Sequence, residues 1–191
     1  MRSLRKDQWP EAMTLAARSF LKEPFMIDMF GIEPLRRFTL AHRFYRSSPW
    51  QDKDDQLGAF IGDVLVGLCL SSPPGQCHLC ENTDPAQPPT DPLLVSEWQF
   101  EVNVQAAHAD QGTHAWMRRI AVDPALQGAG IGRALIAQAL DQLRVHGAPA
   151  VLLECQNHRE DFYVACGFRR VDTVPEATGP VAILMRADLN S

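Results

Sequence analysis

Residues 116–154 read WMRRIAVDPALQGAGIGRALIAQALDQLRVHGAPAVLLE, and this stretch decides the fold. From Ala115 to Val122 the residues suit a strand. Gln127 to Gly132 is a glycine-rich turn. Arg133 to His146 has helical spacing, with Ile136, Leu140 and Leu143 at i, i+4 and i+7, and Gly147 and Pro149 end it. Ala150 to Glu154 is an apolar run that reads as a buried strand. A turn between a strand and a helix N-terminus presents unpaired backbone N–H groups and the positive end of the helix dipole, which together suit phosphate. Glycines at 128, 130 and 132 remove side chains, so a pyrophosphate can approach the main chain closely.

Three phosphate motifs compete for this turn. A Walker loop needs Lys and Ser or Thr after its last glycine, but Arg133 and Ala134 follow Gly132. A dinucleotide fingerprint needs a third glycine where Arg133 stands. The pattern Gln/Arg-x-x-Gly-x-Gly/Ala fits Gln127-Gly128-Ala129-Gly130-Ile131-Gly132 without a gap. Two further signatures keep it company: Val122-Asp123-Pro124 just before the loop, and Tyr163-Val-Ala-Cys-Gly167-Phe168 after the next strand. In this order and rough spacing the chain resembles the GNAT acetyltransferase superfamily, firmly over residues 114 to 186 and plausibly over 1 to 70. Leu153-Glu154, Phe162-Tyr163 and Pro73-Pro74 also look like the branch containing puromycin N-acetyltransferase, without making puromycin the substrate. The alternative reading of the loop alone is a strand–helix turn that binds nothing.

The resemblance implies an α/β (α+β) fold: a mixed, mostly antiparallel, twisted sheet of six or seven strands flanked by helices. It implies acetyl-coenzyme A as co-substrate and direct transfer to a primary amine in a ternary complex. Backbone N–H groups of Gly128, Ala129, Gly130, Ile131 and Gly132 would hold the pyrophosphate, with Gln127 and Arg133 also in the cofactor site. Main chain at Ile120, Ala121 and Val122 would pair with the pantetheine and aim an N–H at the thioester oxygen, where negative charge develops. The strands carrying Val122 and Glu154 would splay, and the thioester would sit in the gap. Tyr163 is the candidate general acid. A phenol titrates near ~10 and a free thiol near ~8.5, so neutral tyrosine can protonate a departing thiolate. Its plainer role is a core aromatic beside Phe162. Glu154 is the first candidate base or water-holder, against a structural hydrogen bond. Glu97 and Glu101 are further candidates, against solvated helix charges. Asn157 lies closer to Tyr163 than the family's asparagine, so its carry-over to the cofactor site is weaker.

The rest of the chain is placed around this segment. A strand opens it, ending near Arg5. A helix from Pro10 to about Lys22 follows and Pro24 stops it; another follows Pro34, with Leu35, Phe38, Ala41, His42 and Tyr45 at helical spacing. Leu57–Ile61 and Val64–Leu70 read as a hairpin around Gly62-Asp63. Residues 73 to 92 are proline-rich, a long loop for a compact domain. Residues 93 to 110 look helical, with Leu94, Trp98, Val102 and Gln105 on one side. After the core segment come a short helix, about Arg159 to Cys166, and strands Phe168–Val174 and Val181–Ala187. The expectation is one domain over 1–191 with an insertion at about 71–112. That insertion and residues 21 to 50 are expected to select the acceptor.

Composition sets outer limits. Forty-six per cent hydrophobic residues supply a core, and 18 Lys and Arg against 23 Asp and Glu give a net charge of -5. A mildly acidic chain has no built-in attraction for nucleic acid, and the acceptor is expected to be a small-molecule or peptide amine. The first residues, MRSLRKDQWPEAM, do not read as a signal peptide, and no apolar run approaches the roughly 20 residues of a membrane helix, so the cytoplasm is the expected location. The five cysteines are expected to be mostly thiols, with Cys69 in the core. Cys77-His78-Leu79-Cys80 supplies half of a zinc site, which His78, His108 or His114 would have to complete; the alternative is two ordinary thiols. A non-catalytic acyl-coenzyme A-binding module, or a zinc-stabilised interaction module, is the rival to the enzyme.

Overall fold

Apolar runs in the central strands and helical spacing between them set up the elements of the computed structural model, which describes residues 1–47, 55–74, 86–90, 92–175 and 182–189. The elements are β1 (Arg2–Ser3), α1 (Trp9–Ser19), α2 (Pro24–Phe30), α3 (Pro34–Ser47), β2 (Asp55–Ile61), β3 (Val64–Ser72), α4 (Pro92–His108), β4 (Ala115–Val122), α5 (Ile131–Val145), β5 (Ala150–Cys155), α6 (Glu160–Val164), β6 (Arg169–Val174) and β7 (Ala182–Asp188). The seven strands lie in the order β1-β2-β3-β4-β5-β7-β6. The β1–β2, β2–β3, β5–β7 and β6–β7 pairs are antiparallel. The β4–β5 pair is parallel, with Ala115 opposite Val151 and Trp116 opposite Leu152. This is the mixed, mostly antiparallel sheet expected from the sequence.

The chain forms two compact units, 1–71 with 118–141 and 72–117 with 142–191. In the first, prolines set the helix boundaries. Pro24 both follows α1 and opens α2 at its first turn, because proline lacks only an N–H that a helix start leaves unpaired anyway. The sequence predicts Pro24 only as a stop; the structure shows that it also begins α2. The guanidinium of buried Arg37 on α3 fastens the loops flanking α2, donating to the carbonyls of Leu21 and Gly31 at 2.7 Å each. Arg119 on β4 lies over the Tyr45 ring, 4.5 Å from its centroid. Gly67 on β3 is where α5 seats: a Cβ there would stand 3.0 Å from Leu135, 3.1 Å from Ile131 and 3.3 Å from the Ala121 carbonyl.

In the second unit α4 buries Val104 with Trp116, Leu152, Val174, Ala182 and Leu184, and Phe100, Ala107 and Val171 pack against them. The inward face of α4 is thus Phe100, Val104, Ala107 and His108. Trp98, Val102 and Gln105, expected on the packed side with Leu94, are only half-buried, and the Leu94 side chain lies outside the described residues. The helix is apolar around most of its circumference, so periodicity could not choose its inner face. Cys69 is buried, as expected.

Candidate acetyl-transfer site

The loop expected to hold phosphate is built from the end of β4. Asp123 caps a 3-10 turn over Pro124–Leu126 by accepting from the Ala125 N–H at 3.0 Å. The same carboxylate pairs with Arg18 at 2.6 Å. The Asp123 N–H donates to the Val66 carbonyl of β3 at 2.9 Å, which ties the loop's root to the sheet. At Val122 the carbonyl accepts from the Ser19 hydroxyl at 2.9 Å and from the Gln127 amide at 3.3 Å.

Beyond this root the chain is exposed from Gln127 to Gly130. Gly128 and Gly130 have φ of 88° and 82°, in the left-handed region that side chains disfavour. A Cβ at either would meet nothing within 4 Å among the described residues, so conformation and not crowding calls for glycine. The Ala134 N–H donates to the Gly130 carbonyl at 3.0 Å, the first helical bond of α5. The N–H groups of Ile131, Gly132 and Arg133 therefore precede the first intrahelical donor, Ala134, and the dipole of a 15-residue helix adds partial positive charge there. The residues fit a pyrophosphate: donors, positive potential and an unobstructed approach. Ile120, Ala121 and Val122 lie on β4 directly before this loop.

Glu154 near the end of β5 is brought into a buried group that the sequence reading did not assemble. Its Oε1 lies 2.6 Å from His108 Nε2, at the end of α4, and its Oε2 accepts from Trp116 Nε1 on β4 at 2.8 Å. His108 Nδ1 is 3.2 Å from His114 Nε2, and His114 Nδ1 is 2.6 Å from the Gly112 carbonyl. Side-chain exposure is 1% for His108 and 8% for Glu154. Burial holds His114 below the ordinary imidazole range. On the same strand, burial and then the charges of Glu160 and Glu154 push the Cys155 thiol up to about 12, so it stays neutral. From the sequence, His108 and His114 are expected only as ligands that could complete a zinc site. Here all four of their ring nitrogens are spent on Glu154, Gly112 and each other. Among the described residues no group of three or more His, Cys, Asp or Glu side chains is arranged to hold a metal. Cys77, His78 and Cys80 lie outside the described residues. A histidine closing an apolar helix six residues before another was the signal available in the sequence; its partner on β5 was not legible.

Tyr163 sits half-buried on α6, edge-on to Phe162 at 5.1 Å and to Phe168 at 6.1 Å between centroids. The Cys166 and Phe168 N–H groups donate to its carbonyl at 2.9 and 3.1 Å, which fixes the turn behind it. Asn157 opens the preceding 3-10 turn and is exposed. Glu101 lies half-buried on α4, and the side chain of Glu97 lies outside the described residues.

The family model described as Acetyltransferase (GNAT) family matches residues 16–168. A search of the curated proteins finds no match. Among solved structures, the chain is similar to histone acetyltransferase HPA2 and related acetyltransferase from Corynebacterium glutamicum, at 14% identity, 98% of this chain and 94% of that one, with a TM-score of 0.67. It is similar to paiA N-acetyltransferase from Thermoplasma acidophilum in complex with coenzyme A, at 14% identity, 98% and 96% coverage and a TM-score of 0.61. It is similar to yncA from Salmonella typhimurium with its cofactor acetyl-CoA, at 12% identity, 100% and 93% coverage and a TM-score of 0.57. These likenesses concern the fold, whereas the family match spans most of the sequence, from α1 through the loop to Phe168. With that match, the strand–loop–helix geometry and the Tyr163-to-Phe168 segment, the chain belongs to the acetyltransferase (GNAT) family.

Proposed function

We propose that the chain is an N-acetyltransferase that moves the acetyl group of acetyl-coenzyme A to a primary amine by direct transfer. The observation that carries this reading is the Gln127–Arg133 loop, with two left-handed glycines and an open helix N-terminus at the end of β4. The N–H groups of this loop hold the pyrophosphate. Main chain at Ile120 to Val122 pairs with the pantetheine and places an N–H at the thioester oxygen.

Glu154 takes the proton that the amine loses, and Tyr163 gives its phenolic proton to the departing sulfur. Positioned proton transfer of this kind contributes about 10²–10⁴-fold to rate. The neutral Cys155 thiol beside Glu154 is a poor nucleophile, which agrees with transfer without an acyl-enzyme. Asn157, which opens the 3-10 turn before α6, is assigned to the cofactor side. The acceptor is a small-molecule or peptide amine.

Thermal unfolding with acetyl-coenzyme A, coenzyme A and NAD, followed by coenzyme A release in the presence of a panel of primary amines, tests the reading. Ligand at 100-fold its dissociation constant adds about 2.7 kcal/mol, a midpoint rise of roughly 5–10 °C for a chain of this size. A rise with both coenzyme forms, together with amine-dependent release, is expected. A rise without release for any amine would favour a non-catalytic acyl-coenzyme A-binding module. No rise in a folded sample would reduce Gln127–Gly132 to a turn.

A further inference from the structure

We infer that His108, backed by His114, is a positioning residue that holds Glu154 as an oriented carboxylate within a buried chain of shared protons. The inference rests on the reading of Glu154 as the proton acceptor given above.

The protons can be assigned from one end. The Gly112 carbonyl can only accept, so His114 Nδ1 carries the hydrogen in their 2.6 Å contact. The next gap, 3.2 Å from His114 Nε2 to His108 Nδ1, is a hydrogen-bond length and needs one proton. Burial disfavours a second proton on His114, so its Nε2 accepts and His108 Nδ1 donates. The last gap, 2.6 Å from His108 Nε2 to Glu154 Oε1, also needs one proton. Trp116 Nε1 is a donor only, so Glu154 Oε2 accepts from it at 2.8 Å, and donation to a carboxylate favours its ionised form. The third proton therefore rests on His108, as an imidazolium facing a carboxylate. Removing any one of the three would leave two lone pairs facing each other at 2.6–3.2 Å in a buried site.

The neighbouring charges leave this assignment in place. From β7 comes Arg186, already bonded to Asp188 at 2.6 Å and to the Gln111 carbonyl at 2.7 Å. From β5 comes Cys155, held neutral. On α4 the nearest ionisable side chain on the face of His108 is Glu101, two turns back. Asp110 in the following turn is exposed.

Each carboxylate oxygen then holds one fixed donor and keeps a second acceptor site. In the transfer, an N–H proton of the amine moves to that free site of Glu154 as the nitrogen bonds to the acetyl carbon. The carbon–sulfur pair leaves with sulfur, which takes the Tyr163 proton; Glu154 and Tyr163 then exchange their protons with solvent. His108 keeps both of its protons throughout and never touches the amine, so its work is orientation and charge.

The test is imidazole ¹⁵N spectroscopy of the full chain labelled at histidine, which requires no acceptor. At pH 7 the expected spectrum has His108 protonated on both nitrogens and His114 on Nδ1 alone. In Glu154→Gln, His108 is expected to lose one proton. A bare nitrogen on His108 in the wild type, or an unchanged His108 in the variant, would overturn the assignment. If the variant fails to fold, the wild-type spectrum decides alone. In turnover with the best amine of the panel, His108→Gln keeps a donor to Glu154 without a titrating ring. It is expected to lower kcat at least ten-fold, to move the acid limb of the pH profile and to leave the KM for acetyl-coenzyme A within two-fold. Unchanged kcat and pH profile would overturn the inference while an inactive Glu154→Gln left Glu154 as acceptor. Full activity of Glu154→Gln would remove both.

Discussion

Tyr163, half-buried and edge-on to Phe162 and Phe168, is the proton donor in the proposed transfer. Tyr163→Phe retains the ring contacts and removes only the proton. Its turnover is expected to fall by about 10²-fold or more, while the midpoint rise caused by acetyl-coenzyme A stays; equal turnover would end the assignment. Gly128 makes a different prediction, because its φ of 88° is set by the backbone and nothing crowds it. Gly128→Ala should destabilise the protein by about 1 kcal/mol, the left-handed penalty less the unfolded-chain entropy that alanine removes. The midpoint should drop roughly 2–4 °C, read by calorimetry, and acetyl-coenzyme A affinity should weaken. Cys155, with its thiol at about 12, should stay unlabelled by a thiol reagent at pH 8 and react after unfolding.

Elements were legible where local chemistry is strong. The hairpin around Gly62-Asp63, the helix after Pro34, the strand Ala115–Val122 and the helix after the glycine loop all lie within a few residues of the expected bounds. The first strand is shorter than expected, Arg2–Ser3, because its partner β2 offers it only two rungs. The turn at Asp123 shows how two bonds on one side chain differ in worth. Arg18 and Asp123 have 49% and 22% side-chain exposure, so the ion pair is weakened by solvent, whereas the bond from the Ala125 N–H caps the 3-10 turn. Asp123→Ala is expected to cost about 1 kcal/mol and Arg18→Ala no more than about 0.5 kcal/mol. Equal losses in denaturant unfolding would mean that the ion pair, not the cap, holds the loop's root.

For the molecule as a whole, pH enters through the buried histidines. His114 has less affinity for a second proton folded than unfolded, because burial disfavours its charge. Between its lowered folded value and the unfolded value near ~6.5 the unfolded chain binds more protons, so stability rises with pH across that window. The contribution is complete above about 6.5 and is lost as pH falls through the window. The midpoint of the wild type should therefore drop more between pH 7.5 and 5.5 than that of His114→Gln, and parallel slopes would refute this. No helix among the described residues is long and apolar enough to cross a membrane. The sequence by itself determined the strand–loop–helix core, the phosphate-compatible loop and the Tyr163 segment, because glycine conformation, helix starts and short-range spacing are local properties. It could not determine that Pro24 begins a helix, which face of α4 turns inward, or that His108, His114, Trp116 and Glu154 form one hydrogen-bonded group. Those four residues are up to 46 positions apart, and their protons are assigned only when tertiary packing removes water and leaves them one another as partners.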